Sequence, residues 1–171
     1  MAMGWRVLAV GGAVAAVVGG LAAVVVIGLR VRSPWVVNAV RRLARDVGNP
    51  RVLATAGQVG ANASVLEHVG RRSGVSYRTP VTAMVTGDGF VIALPYGPDT
   101  DWLKNVTAAG RAWLSHEGRT YVVDRPVVVP LADAVDDFPG GAARALRWFG
   151  VRECIRLRHA PDQTIAVTSA D

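Results

Sequence analysis

Between His68 and Val81 the chain reads HVGRRSGVSYRTPV, which sets Arg71, Arg72, Ser73 and Gly74 into one tight loop between two strand-like runs. Guanidinium groups are planar, permanently charged and matched in shape to phosphate or carboxylate oxygens. The Ser73 hydroxyl adds a polar partner, and the backbone amides of a turn that follows a strand can form an anion-binding concavity. The chemistry on offer is capture of an anionic ligand, above all one that carries phosphate. Taken alone, an Arg-Arg-Ser-Gly turn is more often a solvated surface loop, so its surroundings must decide.

Little else in the chain resembles a reactive centre. Cys154 is the lone cysteine, which excludes an intramolecular disulfide and reads as a buried structural thiol. No Cys/His cluster has metal-ligand spacing. His68 and His116 fall in strand-like runs and read as ordinary strand histidines rather than acid/base groups. The 171 residues carry a formal charge of +6, with Lys104 the only lysine, which favours anionic partners: a phosphorylated cofactor, anionic lipid or nucleic acid. Nucleic acid is the weakest of these, because the basic residues are scattered and no helix-turn-helix, zinc-finger or RNP pattern occurs.

The elements that must position the loop are short strands. VLEHV leads into it, and RTPVTAMVTGDGFVIALPYG reads as strand, Gly-Asp-Gly turn, strand. DTDWLKNVTAAG reads as a helix with caps offered by Asp99, Thr100 and Asp101 and a stop at Gly110. RAWLSHEGRTYVVDRPVVV is a second hairpin turning at Glu117–Gly118, and Leu131 to Phe149 reads as helical with an interruption at Pro139–Gly141. ECIRLRHA alternates weakly, as a last strand would. Hairpins with one short helix between them predict a mainly β, α+β domain over residues 51–171, built as a small and mostly antiparallel barrel.

The N-terminal third differs. Val7 to Leu29 holds no charged or polar side chain, and as a helix it would extend roughly 34 Å at ~1.5 Å per residue, enough for a bilayer core of ~30 Å. Because the run continues into RVRSPW with no small-residue cleavage site, residues 1–32 read as an uncleaved single-pass anchor rather than a signal peptide. Arg6 precedes it, whereas Arg30, Arg32, Arg41, Arg42 and Arg45 follow, so the positive-inside rule puts the C-terminal domain in the cytoplasm. Gly12, Ala16 and Gly20 form a small-residue face that offers a homodimer contact. Residues 33–50 then read as a basic amphipathic helix, capped by Ser33 and Pro34 and ended by Gly48 and Pro50. Such a helix either lies at the lipid headgroups or packs on the domain.

The block from Val65 to Asn105 resembles the deazaflavin-dependent nitroreductase family, also called coenzyme F420-dependent quinone reductases. The shared pattern is a basic Gly-Arg-basic-Ser-Gly turn, a proline-bearing strand, a glycine-bearing loop and a helix with Trp-x-x-Asn. Here these are Gly70–Gly74, Thr79–Pro80, Ala93–Gly97 and Trp102–Asn105. The resemblance implies a split β-barrel of the FMN-binding type. It implies that Arg71, Arg72, Ser73 and Gly74 hold the phosphate and acidic tail of the deazaflavin, and that Thr79 and Pro80 face its ring. Ala93, Leu94, Pro95, Tyr96 and Gly97 would form the loop beneath the ring, and Trp102 and Asn105 would fix the following helix. The bland alternatives are a core anchor for Trp102, a backbone hydrogen bond for Asn105 and an edge-strand position for Pro80.

The resemblance further implies hydride transfer from reduced coenzyme F420 to an electrophilic acceptor, chemistry that needs no protein nucleophile or metal. A membrane anchor suggests a lipophilic acceptor such as a quinone, with membrane lipid as a contact. Tyr96 is the candidate proton donor, with Tyr77 beside it. The substrate-side segment AVDDFPGGAARALRWFG lacks the tyrosines of the family's nitroimidazole reducers and leaves Phe138, Trp148 and Phe149 as wall residues. Two alternatives stay open: an FMN-dependent enzyme on the same barrel, and a membrane-anchored module that binds F420 or anionic lipid without turnover.

Overall fold

The computed structural model describes residues 23–31, 33–43 and 49–161. Seven strands form one sheet: β1 (Ser64–Val69), β2 (Ser76–Val81), β3 (Ala83–Val85), β4 (Gly89–Ala93), β5 (Arg111–His116), β6 (Arg119–Pro130) and β7 (Glu153–His159). Their order is β2-β1-β5-β6-β7-β4-β3, and every neighbouring pair is antiparallel. The two marginal strands, β2 and β3, are consecutive in the chain and separated by Thr82 alone. The sheet must therefore curl until its margins meet there, which makes it a mainly β, barrel-like domain.

That join is where the structure departs from the expected hairpin. TPVTAMV looks like one strand, yet β2 pairs with β1 and β3 pairs with β4, on opposite margins. The Gly-Asp-Gly hairpin is real but begins only at Ala83. The second hairpin turns at Glu117 and Gly118, both at positive φ (48° and 73°), the geometry a two-residue turn needs to match strand twist. β6 bends where its pairing with β7 shifts between Asp124 and Val127. Pro126, which has no N–H to give a ladder, sits in that shift.

β4 shows why FVIA is an unbroken apolar run. Phe90 and Ile92 point into the barrel core with Leu66, Leu114, Val123, Ile155 and Leu157. Val91 faces the other way, into a second cluster with Leu131, Ala134, Phe138, Val151 and Cys154. That cluster is roofed by a 3-10 segment (Leu131–Asp137) and packed against by Ala142, Ala143 and Leu146 of the short helix α5 (Ala142–Trp148). The Cys154 thiol is fully buried there and its pKa is pushed up to about 11, chiefly by burial, as an inert core thiol requires. Phe138 belongs to this cluster, while Trp148 and Phe149 stack edge-to-face on the surface with centroids 4.9 Å apart.

The expected N-terminal span falls only in small part within the described residues. Among the described residues no single helix is long and apolar enough to cross a membrane. The helix α1 (Ala23–Arg30) turns by 116° into α2 (Pro34–Leu43). Proline lacks an N–H and disfavours helical geometry in the residue before it, so Ser33–Pro34 breaks the helix. Residues 7–22 of the expected span, with the Gly12, Ala16 and Gly20 face, lie outside the described residues. Of the amphipathic helix expected over 33–50, α2 covers Pro34–Leu43, and residues 44–48 lie outside the described residues. A separate helix, α3 (Asn49–Leu53), takes Pro50 into its first turn, where a missing N–H does no harm. On α1 and α2, Val24, Ile27, Trp35 and Leu43 stand exposed, Trp35 at 88%, as does Val31 in the turn after α1.

Candidate ligand-binding site

β1 alternates so that Leu66 and His68 turn inward while Glu67 and Val69 face out. Across the ladder, Leu66 faces Thr79 and His68 faces Tyr77, with the His68 and Tyr77 rings stacked at 5.8 Å and 21°. The chain then turns through Gly70–Gly74. Gly70 N–H donates to the Val75 carbonyl at 2.8 Å and Gly74 N–H to the Gly70 carbonyl at 2.9 Å. Gly74 sits at φ 68°, a left-handed conformation that costs other residues about 1–2 kcal/mol. At Gly70 a Cβ would collide with Ser73 Oγ and come within 2.7 Å of Tyr77 Cε2. The loop is thus a built turn, not slack chain.

Helix α4 (Asp101–Ala109) packs beneath it and ends on Gly110 in the left-handed conformation. Its Asn105, 5% exposed, is the hub. Asn105 Oδ1 accepts the Arg71 backbone N–H at 3.2 Å and Arg71 Nη1–H at 2.8 Å. Asn105 Nδ2 lies 3.3 Å from His68 Nδ1, and His68 Nε2 lies 3.1 Å from Thr79 Oγ1. Arg71 also forms an exposed ion pair with Asp101 at 3.2 Å, and Lys104 pairs with Asp99 at 3.1 Å. Burial lowers the pKa of His68, itself only 3% exposed.

These groups surround a cavity of about 580 Å³, within the size range of small-molecule and cofactor sites. Of the residues singled out in the sequence, Arg71, Arg72, Ser73, Thr79 and Pro80 line it from the loop and β2. Tyr96, Trp102 and Asn105 line it from the opposite wall. Gly74 shapes the loop without lining the cavity. Ala93 ends β4 and packs on the second core cluster, Leu94 is buried in the barrel core, and Pro95 is exposed. Gly97 closes a turn by donating to the Leu94 carbonyl at 2.9 Å. Of that loop, Tyr96 is the residue that reaches the cavity; Phe138, Trp148 and Phe149 lie elsewhere.

Arg41, His68, Arg78 and the three cap residues Asp99, Thr100 and Asp101 also line the cavity, though none was given a binding role above. Arg41 comes from α2, folds inward and donates Nη2–H to the Tyr96 carbonyl. Nothing in the local pattern announces this, since it depends on where a distant helix docks. His68 did carry a signal: it shares the inward phase of Leu66 between exposed Glu67 and Val69. Two buried polar atoms in this wall, Arg41 Nε and Thr100 Oγ1, have no hydrogen-bond partner among the described residues. Among the described residues Arg72 and Arg78 form no ion pair, so positive charge predominates around the opening.

No family model matches the chain, and no curated protein matches it. Among solved structures it is similar to HutZ, a heme storage protein from Vibrio cholerae. That match has a TM-score of 0.45 and 12% identity, covering 62% of this chain and 85% of that one. It is also similar to an F420 reductase, with a TM-score of 0.40 and 13% identity, over 57% of this chain and 86% of that one.

Proposed function

We propose that this chain is a membrane-associated oxidoreductase that binds a deazaflavin, coenzyme F420, and passes hydride to a lipophilic acceptor such as a quinone. The observation that carries the reading is the arginine-rimmed cavity: Arg41, Arg71, Arg72 and Arg78 stand around a space walled by Tyr77, Tyr96 and Trp102. Guanidinium forks suit a phosphate and acidic tail, and aromatic walls suit a planar ring. The unpartnered Arg41 Nε and Thr100 Oγ1 give such a ligand polar contacts that the protein leaves unmade.

Bound reduced deazaflavin supplies the hydride. The residues of this chain bind and orient. Arg71 and Arg72 hold the tail, with Asn105 fixing Arg71 and Gly74 shaping the turn. Thr79 and Pro80 face the ring. Reduction of a quinone needs a proton as well as hydride. Tyr77 OH lies 3.2 Å from Ser73 Oγ and is engaged there, which leaves the Tyr96 hydroxyl as the proton donor. Arg41 fixes the Tyr96 backbone and so sets where that ring stands. The exposed Val24, Ile27, Trp35 and Leu43, with Val31 after α1 and with Arg30 and Arg42 also exposed, give α1 and α2 the character of a helix pair at an anionic membrane surface. The domain then faces the cytoplasm and meets its acceptor at the lipid boundary.

The test is a fluorescence titration of the full chain in detergent micelles with oxidised F420 and with FMN. Micromolar F420 binding, lost in Arg71→Ala/Arg72→Ala and absent for FMN, is the expected result, followed by acceptor reduction with a short-chain quinone. Binding of FMN alone, or F420 binding untouched by the double substitution, overturns the assignment. Binding without acceptor reduction reduces it to a binding module.

A further inference from the structure

The hydrogen bonds around Asn105 have a fixed direction. Arg71 contributes only donors, from its backbone N–H and its guanidinium, so the Asn105 atom facing them must be the carbonyl oxygen. The amide therefore cannot be flipped, and Nδ2, a donor only, points at His68 Nδ1 at 3.3 Å. His68 Nδ1 must then accept, which leaves the ring proton of the neutral imidazole on Nε2. That proton is donated to Thr79 Oγ1 at 3.1 Å. With an oxygen lone pair occupied by His68, the Thr79 hydroxyl hydrogen is left to be donated into the cavity that Thr79 lines.

We propose that His68 is a positioning residue that fixes the Thr79 hydroxyl as a hydrogen-bond donor, so that the site selects planar ligands presenting an acceptor atom at that edge. The acceptor is a carbonyl oxygen or an unprotonated ring nitrogen. The polarity is set from Arg71, the residue assigned to the ligand's anionic tail, through Asn105 and His68, so recognition of tail and ring is one network. This rests on the reading of the cavity as a deazaflavin site. Burial that lowers the pKa of His68 agrees with a neutral ring in this chain of bonds.

Two measurements test it, one with no ligand present. In ¹⁵N spectra of the histidine-labelled full chain in micelles near neutral pH, the His68 signal, assigned by its loss in His68→Phe, should show a proton on Nε2 and none on Nδ1. A proton on Nδ1, or on both nitrogens, overturns the proposal. In F420 titrations, Thr79→Val should weaken binding roughly tenfold, the worth of one hydrogen bond, while Thr79→Ser keeps it. In a His68→Phe background Thr79→Val should cost much less. Equal cost in both backgrounds, or no cost in either, overturns the role of His68 as the element that orients Thr79. If the unaltered chain fails to bind F420, the cofactor reading falls, and the tautomer of His68 alone decides whether the network is polarised as described.

Discussion

Asn105 and Arg71 are joined twice, through the Arg71 backbone N–H at 3.2 Å and its guanidinium at 2.8 Å, both to the same amide oxygen. This pair of hydrogen bonds to one acceptor ties helix α4 to the turn Gly70–Gly74 and holds the Arg71 guanidinium in a set direction. A cation that is already oriented loses less conformational freedom when a ligand arrives.

Removing that oxygen should therefore be felt twice. Asn105→Ala leaves His68 Nδ1 and the Arg71 N–H without partners, and unmet buried hydrogen bonds cost about 1–3 kcal/mol each. Urea unfolding should show a destabilisation of that order, and affinity for an anionic ligand should fall in the same variant. Unchanged stability would show that water replaces the amide without loss.

Asp101 acts in the opposite sense. Its carboxylate, 84% exposed, sits 3.2 Å from the Arg71 guanidinium and neutralises part of the charge that the cavity presents. Exposed pairs contribute little to stability, roughly 0–1 kcal/mol. Asp101→Asn should leave the unfolding midpoint nearly unchanged while raising the affinity for a phosphate-bearing ligand, an increase that shrinks as salt is added. Isothermal titration at two ionic strengths checks both parts.

Acid should weaken the fold through His68. Burial holds its pKa below the ordinary value of about 6.5. Between the two values the unfolded chain carries a proton that the folded chain refuses, so stability falls as pH drops through that window and levels off beneath the folded value. The ring is faced by Tyr77 from β2 and by Asn105 from α4, with Arg71 beyond the amide. The difference in unfolding free energy between the unaltered chain and His68→Phe, followed from pH 7 to pH 5, should shrink as pH falls. A difference independent of pH would mean that His68 does not resist protonation.

The turn itself is sensitive at Gly74. An alanine there must take φ near 68°, at a cost of about 1–2 kcal/mol. Gly74→Ala should lower the melting temperature and weaken ligand binding, because relief of the strain re-aims Arg71 and Arg72. Gly87→Ala, with open space around its Cβ position, is the control and should leave binding intact.

Much of this architecture is legible in the chain because its signals are local. Glu117–Gly118 and the Gly-Asp-Gly turn announce their hairpins, Gly110 stops α4, and ECIRLRHA carries the alternation of β7. The division of TPVTAMV at Thr82 is not legible, since the same residues suit either one strand or two and the choice depends on partners far away. In the site, the loop residues are visible as an arginine pair and Trp102 and Asn105 as a spaced helical motif. Arg41 is hidden because it sits on a helix face that reads as solvated, and only the docking of α2 brings it to Tyr96. His68 is the instructive case: the periodicity that marks β1 already places it inside, but strand phase alone does not reveal that its neighbours are Asn105 and Thr79.

The position of β7 has a consequence for the order in which the protein can be made. It is the last strand among the described residues, yet it lies between β6 and β4 and supplies the pairing that joins β3–β4 to the rest of the sheet. During vectorial synthesis the emerging chain holds two pieces of sheet, linked by Thr82 but sharing no ladder, until β7 is free to pair with both. Ribosome-bound chains that stop before Glu153 should remain open to protease, and the barrel should close in a single late step when the final strand slots in.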